Sequence, residues 1–112
     1  MPVITEPRYD ELIQGLIEKT REGKLQWEPT ALADHFITVI GGEYGVALRR
    51  KANEYTLTIR DAGDREVISL EVGRLLDERV SLYDELKALF DLIVPQVATE
   101  GVNSVLETLK TL

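Results

Sequence analysis

YGVALRRKANEYTLTIRDAGDREVISLEV, residues 44–72, alternates apolar and polar side chains along most of its length and is cut twice by turn formers, at Ala52-Asn53 and Gly63-Asp64. A period of two between turn signals predicts antiparallel strands at 44–51, 54–62 and 65–72. Their register can be checked. A two-residue loop at Ala52-Asn53 sets Leu48 opposite Leu57 and Val46 opposite Ile59. A two-residue loop at Gly63-Asp64 sets Ile59 opposite Ile68 and Leu57 opposite Leu70. Both turns send the large apolar residues to one face and Arg49, Thr56, Thr58, Arg60 and Ser69 to the other. A slip of one residue would invert every side chain, so agreement between independent turns argues for a meander with one buried face.

Working outward toward the N-terminus, residues 34–40 read as a further strand ending at Gly41-Gly42. A two-residue loop there buries Ile37 and Val39; a three-residue loop that includes Glu43 buries Phe36 and Ile40 instead. Either way some apolar residues face outward. An apolar edge strand needs a cover, which the Leu25–Trp27 segment, the first helix or a second copy of the chain could supply.

Tyr9, Leu12, Ile13, Leu16 and Ile17 share one face of a helix expected over 8–22. Pro7 suits its first turn, Asp10 and Glu11 its positive end, and Gly23 its stop. The segment 24–28 is extended, and Pro29 ends it. It holds the only tryptophan, Trp27, placed either to lock the helix onto the sheet or to anchor a partner. Trp27, Phe36, Ile37, Val39 and Ile40 are therefore the interface candidates.

Past the meander, Gly73–Val80 is a connector with Leu75 and Leu76 turned inward. Ser81 suits a helix N-cap, and Leu82, Leu86, Leu89, Phe90 and Ile93 line a helix face. After Pro95, an apolar stripe of Val97, Val102, Val105, Leu106, Leu109 and Leu112 continues, with a break at Gly101 one option. The expected fold is α+β: an N-terminal helix, a four-stranded antiparallel meander, and one or two C-terminal helices packed on the sheet, as a single domain over 1–112.

Composition narrows the chemistry. With 44% hydrophobic and 29% charged residues the chain has the balance of an ordinary globular domain. It contains no cysteine, which excludes disulfides, thiolate nucleophiles and thiolate metal sites. The start has no basic segment followed by an apolar run, and no stretch is long and apolar enough for a membrane helix. A cytoplasmic protein with no membrane attachment is expected. A net charge of −7 disfavours attraction to nucleic acid or anionic lipid.

No catalytic constellation is recognisable. His35 is the lone histidine, and its neighbour Asp34 would point to the opposite side of a strand. Gly41-Gly42-Glu43-Tyr44-Gly45 lacks the lysine of a phosphate loop and lies between two strands, as a hairpin does. The three carboxylates of residues 61–66 do not have calcium-loop spacing and surround Arg65. Arg49-Arg50-Lys51 with Arg60 is the only basic cluster, without an aromatic stacking platform. No cofactor or metal is expected, and no enzyme activity.

The pattern Leu16-Ile17-x-x-Thr20-x-x-Gly23-x-Leu25-x-Trp27, followed by YTLTI (55–59) and SLYDELKALFDLI (81–93), resembles a loose set of small uncharacterised bacterial proteins. The resemblance implies the same order of elements. Its clearest positions are framework residues, and it implies no activity. The function expected is a small protein-interaction or regulatory module, homodimeric, with an unknown protein partner. An acidic inhibitor imitating nucleic acid and a small-ligand-binding protein are the alternatives.

Overall fold

The computed structural model describes residues 8–73 and 80–112. Pro7, Leu75 and Leu76, and the side chain of Ser81, lie outside the described residues.

α1 (Tyr9–Arg21) buries Ile13, Leu16, Ile17 and Thr20, which recur every three or four residues along one side. Asp10 and Glu11 occupy its first turn, Lys19 and Arg21 its last, each matching the helix dipole. Gly23 adopts φ +76°, and the Gly23 and Lys24 N–H groups donate to Thr20 O and Lys19 O. That paired closure uses two carbonyls otherwise left without partners and requires the left-handed conformation at Gly23.

The sheet has five strands, not the four expected from periodicity, in the order β1-β2-β3-β4-β5, all antiparallel. The additional one is β1 (Glu28–Pro29), two residues long, pairing with Ile37 and Phe36 of β2 (His35–Ile40). Period-two reading misses it because two residues carry no period. Pro29 belongs to this strand instead of ending an extended segment, and an edge strand is where a residue without an N–H is tolerated.

Between β2 and β3 (Tyr44–Lys51) the loop has three residues, Gly41, Gly42 and Glu43, with Ile40 opposite Tyr44. Gly41 and Gly42 have φ +58° and +70°, and Glu43 N–H donates to Ile40 O. Of the two registers open in the sequence, this one turns Phe36 and Thr38 inward and leaves Ile37 and Val39 outside.

β3 and β4 (Glu54–Arg60) meet across Ala52-Asn53 with Leu48 opposite Leu57 and Val46 opposite Ile59, as expected. In β5 (Glu66–Gly73), Leu70 faces Leu57 and Ile68 faces Ile59, also as expected, but the turn differs. Asp61 N–H donates to Arg65 O, so the loop is Ala62-Gly63-Asp64, with Asp64 at φ +61°. A third loop residue would slip β5 by one. A bulge restores the register: Arg60 pairs with Glu66 while Ile59 pairs with Ile68, leaving Val67 as the extra residue.

α2 (Val80–Lys110) is a single helix of 31 residues that runs through both Pro95 and Gly101. Its first half lies with α1 on one face of the sheet, and Leu86, Leu89, Phe90 and Ile93 join Trp27, Leu48, Leu57, Leu70 and Val72 in the core. Phe90 packs edge-on to Phe36, with ring centres 5.6 Å apart, and Tyr55 against Tyr83, at 5.2 Å. Among the described residues the result is two layers, helices over a sheet whose other face is bare.

Candidate interaction surface

Trp27 is fully buried, and its indole N–H donates to Thr20 Oγ1 at 2.9 Å. The sharp stop at Gly23 folds the chain back so that Trp27 reaches the buried side of α1 one turn from its end. It locks helix to sheet. Phe36 is likewise in the core and Ile40 packs on its margin. Of the five interface candidates only Ile37, 40% exposed, and Val39, 60% exposed, present surface. The β2 edge beside them is covered in part: β1 pairs with Phe36 and Ile37, and Thr38 Oγ1 donates to Gln26 O at 2.7 Å.

The bare face of the sheet is polar apart from the exposed Ile37 and Val39 of β2. His35, Arg49, Lys51, Glu54, Thr56 and Glu71 line a shallow trough of about 380 Å³. Arg49 and Glu71 flank Thr56 from the neighbouring strands, so cationic and anionic groups alternate across it. The basic cluster does not stay together: Arg50 turns to the other face, 4.7 Å over the Phe90 ring, and pairs with Asp34 at 3.3 Å. His35 Nδ1 lies 2.6 Å from Thr30 Oγ1. That hydroxyl also accepts from Leu32 N–H. Burial, and then the nearby Arg49 charge, lower the His35 pKa from its ordinary value.

Several carboxylates are committed to local structure. Asp61 Oδ1 accepts from the Gly63 and Arg65 N–H groups, and its Oδ2 pairs with Arg65. Glu11, Glu22, Asp34 and Asp91 each pair with a cation. Among the described residues no three His, Asp or Glu side chains converge as metal ligands, and no helix is long and apolar enough to cross a membrane.

The longest run of exposed apolar residues lies on α2. From Gly101 onward every residue is exposed, including Val102 and Val105 at 59%, Leu106 at 48% and Leu109 at 56%. At 100° per residue, these residues with Val94 and Ala98 centre about 150° round the helix from the buried Leu82, Leu86, Leu89, Phe90 and Ile93. The C-terminal stripe is therefore not a continuation of the core face, as the sequence suggested. Glu100, Ser104, Glu107 and Thr111 fall on the extension of the core side. Beyond Val97 the helix offers its own body nothing apolar to hold, and it leaves the body as an arm. The signal was present in the sequence as a change of helical phase between Ile93 and Val94; listing apolar residues without their angles conceals it.

Compared with protein-family models, curated proteins and solved structures, the chain matches none of them.

Proposed function

We propose that this protein is a small homodimeric interaction module that associates through the apolar stripe of the α2 arm. The observation that carries this reading is the second apolar side of α2, half-exposed and turned away from the body that holds the helix. The dimer contact is thus placed on another element than strand 34–40, whose edge at Phe36 and Ile37 is already paired with β1.

The arm spacing supports association with another helix. Ala98, Val102, Val105, Leu109 and Leu112 repeat at intervals of four, three, four and three, the seam of a coiled coil. Flanking positions are Thr99, Gly101, Leu106 and Thr108, all uncharged, while Glu100, Glu107 and Lys110 lie away from the seam. Two copies therefore meet without opposing like charges.

The magnitude is moderate. Burying the exposed half of a Val or Leu side chain is worth about 1 kcal/mol, so six such residues from each of two copies contribute about 12 kcal/mol. Association costs at least about 4 kcal/mol. At most about 8 kcal/mol remains, which corresponds to a Kd no tighter than about 1 µM, a reversible dimer.

Sedimentation equilibrium between about 0.1 and 100 µM tests this. A monomer–dimer transition is expected, abolished by Val105→Glu or Leu109→Glu with no change in the melting of the protomer. A chain that stays monomeric over that range would sink the reading.

A further inference from the structure

We infer that two copies of this chain pair their α2 arms antiparallel, in the register that sets Ala98 of each against Leu109 of the partner subunit and Val102 against Val105. This rests on the arm being the association surface, and adds the partner's direction and register.

Three features of the molecule select it. The first is volume. A parallel, in-register pair would place Ala98 against Ala98 of the partner subunit, leaving a gap, and Leu109 against Leu109 of the partner subunit. The antiparallel register puts the smallest seam residue opposite one of the largest, so each layer holds a similar volume, as close packing requires.

The second is charge. Of the net charge of −7, six units lie in residues 1–97, that is, outside the arm. Parallel arms would bring both acidic bodies to one end. Antiparallel arms carry them to opposite ends of the pair, separated by more than the roughly 10 Å over which charges are felt at ordinary salt.

The third is the placement of the seam. It lies about 150° round α2 from the side held by α1 and the sheet. Each body therefore stands clear of the incoming helix, and in this register position 97 meets position 110, so the helical overlap runs from Val97 to Lys110 without obstruction. That overlap is about 20 Å long.

The chain has no cysteine, so engineered thiols report without background. Ala98→Cys and Leu109→Cys chains, mixed and oxidised in a glutathione buffer, should give the mixed disulfide between the two variants in preference to either self-pair. Spin labels on Ala88→Cys, an exposed position outside the seam, give a readout that leaves the seam intact. Antiparallel pairing sets the two labels about 45 Å apart along the axis, whereas parallel pairing keeps them level. A short distance at Ala88, with Ala98→Cys self-pairing, would overturn the antiparallel register while leaving the interaction module standing. A dimer whose Ala88 distance is unchanged by Leu109→Glu would show association elsewhere and overturn both. A monomer would overturn both as well.

Discussion

Trp27 fills the angle between α1 and the sheet, and its indole N–H ends on Thr20 Oγ1, 2.9 Å away and out of reach of water. Thr20→Val keeps the shape and removes the acceptor, so a buried donor is left unmet at a cost of about 1–3 kcal/mol, readable by urea unfolding. Trp27→Phe with Thr20→Val should cost less than the two changes added, because the second deletion removes no further bond. Trp27 emission should stay blue-shifted and constant across a dilution series, since the residue is buried within one protomer. His35 makes a different prediction. Its folded pKa is lowered, so the unfolded chain takes up the proton first as pH falls. Its contribution to stability is complete above the ordinary value of 6.5 and is lost as pH drops through the lower folded value. His35→Gln should flatten that part of the stability–pH curve, measured by denaturant titration at stepped pH.

Among the elements, β5 shows how a turn and a bulge compensate. The Ala62-Gly63-Asp64 loop displaces β5 by one residue and Val67 displaces it back, which is why a two-residue turn and the observed three-residue turn lead to the same facing pairs. Deleting Val67 should therefore keep Glu66 opposite Arg60 and Ile68 opposite Ile59, and the chain should still melt cooperatively. Deleting Ser69 instead throws Leu70 and Val72 out of phase with the core face; loss of the cooperative transition in circular dichroism is the expected result. In α2, Pro95 cannot donate to the carbonyl of Asp91. Pro95→Ala should restore that bond and stabilise the helix by up to about 3 kcal/mol, again by urea unfolding. The meander was readable because strong alternation and two turns agreed. β1 was not, because its pairing depends on where the return of the chain after Gly23 brings Glu28, a matter of tertiary path. For the C-terminal region the sequence left one helix or two open, because Pro95 and Gly101 are local helix breakers; the structure has the single α2, in which the surrounding helix overrides both.

For the molecule as a whole, one layer of helices covers one face of the sheet, leaving a neutralised polar trough on the other and an arm that projects past the body. Shortening the chain after Glu100 should leave the melting of the protomer nearly unchanged, since residues 101–112 are all exposed, yet abolish the dimer in sedimentation. Alternating pattern, turn residues and helical spacing dictate the element types, the facing pairs of the central strands and the identity of nearly all the core, because each depends on residues close in sequence. Whether Trp27 is core or surface, which side of β2 is buried, and where the two apolar sides of α2 point depend on what the folded chain brings alongside them. Those outcomes are set by packing, since an apolar side chain is exposed or buried only relative to neighbours distant in sequence.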